Sequence, residues 1–290
     1  MDFLLYWPTW FQVTFIIIVF SGLSILGLYL VRRAVPVERL KQNHEVAGFT
    51  FGVIGAFYGL LLAFVIVAAW ERFDRANEMV QNEALCLTSM YRLAKGFPEP
   101  LQHNMQQALR DYAERAIDIE WPAMAHYIRG AGRDEIGRAD NPIRYLGLWA
   151  LIGGYNPPDA RQTLLADKSY DQLQQLGKDR ALRYMYSNQD FPSVVWLVIY
   201  VGLIITIGFS YFFGLDTFPS QALMCGIFSS LLGLTILAIV QLAHPYQGSV
   251  AISDAPFRFA ITRMDDMDKI ALSSAYETQF AASTDQAHPQ

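Results

Sequence analysis

Apolar residues collect in four windows of this chain, 10–31, 46–70, 191–213 and 222–242, and none of the four contains Asp, Glu, Lys or Arg. A run of about 20 apolar residues is what an α-helix needs to cross the hydrocarbon of a bilayer, so each window predicts a transmembrane helix. Between the second and third windows the pattern changes to apolar residues every three or four positions, the period of a helix with one buried face. Phe73, Ala76, Val80, Ala84, Leu87 and Tyr91 mark one such helix, ending near Lys95. Leu101, Met105, Ala108, Tyr112, Ala116 and Ile119 mark a second, over 99–128. A shorter helix is expected over 134–151. A last one opens at Asp159, a good N-cap residue, and runs to Ser187. Gly96-Phe97-Pro98, Gly130-Ala131-Gly132 and Gly153-Gly154 with Pro157-Pro158 separate these pieces. No segment alternates with period two, so no sheet is expected.

The pattern therefore predicts an all-α membrane protein. Transmembrane helices 1 and 2 fall in 1–70, a helical soluble domain in 71–190, transmembrane helices 3 and 4 in 191–243, and a tail in 244–290. One helix is expected in the tail, over 256–271, with disorder from Ser273 onward, where the residues become small and polar. The junction at Trp70 carries no turn signal. Glu71-Arg72-Phe73-Asp74-Arg75-Ala76 follows it directly, so a single helix is expected to leave the membrane and continue into water.

Composition sharpens this picture. The chain is 53% apolar with a mean hydropathy of +0.20, too apolar for an ordinary soluble protein. Its net charge of -5 gives no basic surface, so nucleic acid is not an expected partner. Met1-Asp2-Phe3 carries no positive charge and no small-x-small site precedes Arg32, so the first span is not read as a cleaved signal peptide. Trp7 and Trp10 suit an interfacial aromatic belt. Arg32, Arg33, Arg39 and Lys41 lie on one side of the membrane; Arg72, Arg75, Lys178, Arg180, Arg183, Arg258 and Arg263 lie on the other. The second set is larger and the first denser, and the balance slightly favours a cytoplasmic large domain.

No metal-ligand spacing, nucleophile motif or phosphate loop is present, so neither enzyme activity, nor a cofactor, nor a metal is expected. Asp134-Glu135 and Asp265-Asp266 with Asp268 read as exposed acidic faces. Cys86 and Cys225 fall in different regions, which does not favour a disulfide.

The second span holds the candidate functional positions. Gly48, Gly52, Gly55 and Gly59 recur at three- and four-residue spacing. Small residues in that pattern let helix backbones approach closely in lipid, either within one subunit or around a symmetry axis. Ala56, Leu60 and Phe64 share another face at spacing four, a stripe that can close a pore by dewetting. No ionisable residue lies in any span, which argues against a proton relay. Asn43-His44-Glu45 at the start of the span reads first as a helix cap, with His44 a candidate pH-sensitive group. At the exit, Glu71, Arg72, Asp74 and Arg75 read either as a solvated ion-pair juncture or as a vestibule that concentrates ions of one sign.

Three segments resemble the bestrophin-like bacterial family: Asn43-His44-Glu45; Phe57-Tyr58-Gly59-Leu60-Leu61-Leu62-Ala63-Phe64 through Trp70-Glu71-Arg72-Phe73; and His244-Pro245-Tyr246-Gln247-Gly248 with Ser253-Asp254-Ala255-Pro256-Phe257. A more distant likeness extends to bestrophin channels. That resemblance implies a homo-oligomer, a pentamer favoured, around a central pore that passes inorganic ions, anions in particular. It implies a neck at Ala56, Leu60 and Phe64, although Ala56 departs from the bulky residues expected there. It also implies a multi-pass protein of the bacterial inner membrane, in contact with lipid, with both termini and the large domain in the cytoplasm. The acidic run that clasps calcium in animal bestrophins is missing after Gly248. The alternative is a non-conducting membrane scaffold or sensor whose helical domain binds a partner protein.

Overall fold

The structure is a computed structural model that describes residues 6–36, 44–125, 143–188, 191–213, 215 and 217–286. Among the described residues it is all helix, with no strand. The chain divides into two compact units: Met1–Arg75 with Gln189–Ala251, and Ala76–Asn188 with Ile252–Gln290.

The first unit contains α1 (Thr9–Ala34), the first part of α2 (His44–Ala94), α7 (Ser193–Ser210) and α8 (Phe218–Ala243). All four are long and apolar enough to cross a membrane; the chain is a multi-pass membrane protein. Helix α1 packs along α8 through small residues. Ser21 Oγ lies 2.7 Å from Ser230 Oγ, Ser24 Oγ donates to the Cys225 carbonyl at 3.3 Å, and Ser229 Oγ donates to the Phe20 carbonyl at 3.2 Å. In lipid no hydrophobic force drives two apolar helices together, so close backbones and shared hydrogen bonds hold them. Gly233 permits this approach: a Cβ there would lie 2.7 Å from the Phe20 ring.

Helix α2 packs against α7 and α8 through Tyr58, Leu62, Ile199, Leu232, Ile236, Ile239 and Val240. Tyr58 donates to the Ile199 carbonyl at 2.7 Å, and its ring lies where a Cβ on Gly202 would sit. Each end of the unit is tied by polar residues. Gln12, fully buried, donates to the Trp7 carbonyl at 2.7 Å and accepts from Gln241 at 2.6 Å. Its amide also reaches Ser249, so residues 244–251 go with the spans and not with the tail. At the other end Arg32 donates to Gln221 at 2.8 Å and to the Leu215 carbonyl.

The second unit contains the rest of α2, α3 (Leu101–Arg115), a π-helical turn (Ala116–Glu120), α4 (Trp121–Ala125), α5 (Ile143–Gly153), α6 (Ala160–Asn188) and α9 (Ala255–Gln286). Ala76, Val80, Ala84, Leu87 and Tyr91 of α2 are buried, as their spacing predicts, and so are Met105, Leu109, Tyr112, Leu173, Leu176 and Phe257 of the same unit. Asp159 caps α6, accepting from the Gln162 N–H at 2.7 Å.

Two expectations change. The spacing puts Ile119 on the buried stripe of the second helix, but it is 43% exposed, whereas Ile117 and Glu120 are buried. The π-turn inserts one extra residue into the helical path and rotates everything after Ala116 by about 100°. The tail helix is also longer than 256–271, since α9 stays helical to Gln286. Its polar residues read as disorder, yet Ala, Glu and Gln favour helix and no Gly or Pro interrupts 257–286. The break at 130–132 and the pair Asp134-Glu135 lie outside the described residues.

Candidate functional site

Helix α2 has two faces in the first unit. Tyr58, Leu62 and Ala69 point inward and are buried. On the opposite side Val53, Leu60, Phe64 and Val67 are exposed, Leu60 by 55% and Phe64 by 68%, and Ala56 is exposed with them. Leu60 and Phe64 also line a groove of about 840 Å³ between α2 and α7, together with Phe57, Leu197, Val201 and Ile205; Ala56 does not. The glycines flank the open face on the other side. A Cβ on Gly52, Gly55 or Gly59 would meet nothing within 4 Å, and one on Gly48 would touch only Phe213 at 3.9 Å. His44 is the first residue of α2; its side chain lies outside the described residues.

At the exit of the span the four charges take different directions. Glu71 accepts from Arg75 at 3.1 Å, one turn along the helix. Arg72 turns toward the segment that leads into α7, its guanidinium 6.0 Å from the Phe191 ring. Asp74 is exposed and has no ion pair or hydrogen bond among the described residues.

The second unit holds a cluster that spacing alone did not single out. Arg183 has no exposed surface. It donates to both carboxylate oxygens of Glu83, at 2.7 and 3.0 Å, and to Glu120 at 2.6 Å. Arg180 donates to the other oxygen of Glu120 at 3.1 Å, and Tyr112 donates to Glu83 at 2.6 Å. The rings of Trp121, Tyr184 and Phe257 lie within 5.0–5.7 Å of the Arg183 guanidinium. Two carboxylates and two guanidiniums balance, which is what makes burial of four charges tolerable. Burial raises the Glu120 pKa, but the charges of Arg183 and Arg180 outweigh it and hold the carboxyl below its ordinary value. For Arg183 burial acts against the charge, and Glu83 and Glu120 more than offset it, so its pKa lies well above the ordinary value. Burial first, and the Glu83 carboxylate second, push the Tyr112 phenol well up. The signal was present: Glu83 falls on the apolar α2 stripe between Val80 and Leu87, and Arg180 and Arg183 continue the α6 stripe of Leu173 and Leu176.

Helix α9 is fastened by a second set of charges. Arg110 donates to Asp265 at 2.6 Å and to Asp268 at 2.9 Å; Tyr91 donates to Asp268 at 2.6 Å. Lys95 lies 3.5 Å from Asp268 and donates to the Met267 carbonyl. Asp265 and Asp268, read as exposed acidic face, are thus docking groups. Beside them, α2 and α9 border a groove of about 800 Å³ lined by Leu85, Phe259, Ile270, Arg92 and Arg263.

No curated protein matches this chain. Solved structures of low sequence identity share its fold. A bacterial bestrophin homologue from Klebsiella pneumoniae, solved by Zn-SAD phasing, aligns with a TM-score of 0.60 at 14% identity, over 87% of this chain and 98% of its own. Two variants of a homologue from the same organism align at 13% identity. One gives a TM-score of 0.62 over 88% of this chain and 98% of its own, the other 0.60 over 89% and 99%. At such identity the likeness establishes fold alone. The model of the bestrophin-like domain matches residues 18–257. That match takes in α2, the exit charges and the His244-Pro245-Tyr246-Gln247-Gly248 segment, and the chain belongs to the bestrophin-like family.

Proposed function

We propose that this chain forms a homo-oligomeric ion channel, pentameric on the family likeness, with α2 lining the pore. One observation carries this reading: among the described residues, the α2 face with Val53, Ala56, Leu60 and Val67 is left exposed. The flanks of that face differ. One is the open glycine edge at Gly52, Gly55 and Gly59, which admits another helix backbone closely. The other is the aromatic groove at Phe57 and Phe64. Pairing two unlike flanks is a heterologous contact, and when its rotation closes it makes a ring. In such a ring Ala56, Leu60 and Phe64 form or border the apolar neck, and the neck gates by dewetting. His44, at the far end of α2, is a candidate for pH sensitivity. On the family likeness, the reading puts the second unit and the termini on the cytoplasmic side of a bacterial inner membrane. Preference for anions stands on the family resemblance and on no side chain of this chain.

The test is ion flux in planar bilayers with oligomer mass measured in parallel. Leu60→Ala and Phe64→Ala are expected to raise unitary conductance severalfold. Silent wild-type protein, with both variants equally silent, would remove the channel reading. The non-conducting alternative draws on the groove beside α9, where Leu85, Phe259 and Ile270 leave apolar surface exposed. Monomeric or dimeric particles without an axial cavity would favour it.

A further inference from the structure

We infer that Asp74 sets the sign of the ions drawn into this pore, and that the sign is positive. The inference rests on the reading of α2 as the pore helix and names the ion class that pore takes. It starts from register. In a helix, residues seven apart return to nearly the same face. Val53, Leu60, Val67 and Asp74 are spaced by seven and all four are exposed. Glu71, the first charge past the apolar run, faces the same side but is paired with Arg75, so Asp74 is the first charge on the open stripe without an ion pair among the described residues.

The neighbouring charges do not cancel it. Arg72 is turned off the stripe to the ring of Phe191, two residues before α7. Arg75 is rotated about 100° from Asp74 and is committed to Glu71 at 3.1 Å. The four exit charges sum to zero, but the Glu71–Arg75 pair is neutral as a unit and Arg72 points away, so the charge that faces the stripe itself is the carboxylate of Asp74. Glu71 lies on the same side, one turn beyond Val67. Along the helix Asp74 is about 10 Å past Val67. That is close to the Debye length of about 8 Å at physiological ionic strength, so its field reaches the end of the apolar segment. A ring of such carboxylates beside low-dielectric walls concentrates cations and excludes anions. This opposes the anion preference that the family resemblance implies. The span supplies no compensating cation, because no Lys or Arg lies between Val46 and Trp70.

The experiment is the reversal potential of the full-length protein in planar bilayers under a KCl gradient, with K⁺ and Cl⁻ as the probes. Wild type is expected to prefer K⁺. Asp74→Asn should lower the K⁺/Cl⁻ permeability ratio by about twofold or more, and Asp74→Lys should carry it toward Cl⁻. Arg75→Gln should move it the other way, because it releases the Glu71 carboxylate onto the same face. All three shifts should shrink in concentrated KCl as the mouth is screened. Asp74 is exposed, so Asp74→Asn should elute and melt as wild type does. If it fails to fold, Arg75→Gln and the charge-preserving Asp74→Glu, which should keep the wild-type ratio, carry the test. A conducting wild type that prefers Cl⁻, or a conducting Asp74→Asn with an unchanged ratio, overturns the role of Asp74 and leaves the channel intact. No flux from wild type or any variant removes the channel, and the role of Asp74 with it.

Discussion

Arg183 has no exposed surface and bonds two carboxylates that are themselves buried. The net worth of such a cluster against an apolar core is small, because desolvating the charges costs nearly what their attraction returns. The cost of removing one member is not small, because the others stay buried without a counter-charge. Arg183→Met leaves Glu83 and Glu120 facing each other with Arg180 alone, and it should destabilise the protein by about 3–5 kcal/mol. Thermal unfolding in detergent reads this directly. Glu71→Gln, which breaks the exposed pair with Arg75, should leave the melting temperature unchanged. Equal effects of the two substitutions would mean that the buried cluster is not what holds the second unit together. At this scale the sequence was legible where charge sits in water and less so where it does not. Glu71–Arg75 follows from spacing alone. The partners of Glu83, at 100 and 29 residues' separation, do not follow from any local rule, although a carboxylate on an apolar stripe marks the place to look.

Helices were legible in kind and in number of spans, because length and hydropathy set them and no tertiary contact needs to be known. Faces were legible until a helix changed its winding. The π-turn at Ala116–Glu120 exchanges Ile119 for Glu120 in the core, and no residue in Ala-Ile-Asp-Ile-Glu announces it. Its consequence is chemical, because it aims Glu120 at Arg180 and Arg183. Helix α9 shows the same limit from the other direction, since charges fasten it beside the buried stripe of Phe257, Ala260 and Met264. Asp268 is raised by burial, but hydrogen bonds from Tyr91 and Arg110 and the charge of Lys95 outweigh this, so its pKa lies below the ordinary value. Glu120 is lowered as well. A depressed carboxyl contributes stability above its unfolded pKa and loses it as pH falls through the folded value. Asp179, raised by burial, acts with the opposite sign and offsets part of the loss. The second unit should therefore weaken below the ordinary carboxylate range, near pH about 4. Amide exchange along residues 255–270 should accelerate there while α7 stays protected. Asp268→Asn should reproduce part of that acceleration at neutral pH. Unchanged protection of α9 in acid would show that apolar contacts such as Phe257 and Met264, not the ion pairs, hold it.

Over the whole molecule, two kinds of glycine separate what folds the chain from what assembles it. Gly202 is filled by its own chain: a Cβ there would lie 2.4 Å from the Tyr58 ring, so Gly202→Ala strains the α2–α7 packing by about 1–3 kcal/mol. Gly52 and Gly55 are the reverse case, with nothing within 4 Å of an added Cβ. A leucine at either position meets no atom of the same chain near its Cβ, and a better helix former replaces a poorer one. Only a neighbour can object. If copies of α2 close into a ring through this glycine edge, Gly52→Leu and Gly55→Leu should lower the oligomer mass in detergent. They should abolish flux while leaving helix content and the melting temperature of the separated chains as in wild type. Gly202→Ala should do the opposite, lowering the melting temperature while any chains that fold still assemble. An intact oligomer from Gly52→Leu and Gly55→Leu would show that lipid, not a second copy, covers the edge, and the ring would then have to close through α7 or α1. The glycines stood out in the sequence, but their spacing served packing within a subunit and packing between subunits equally well. The distinction came from the space around them, which no pattern along one chain encodes.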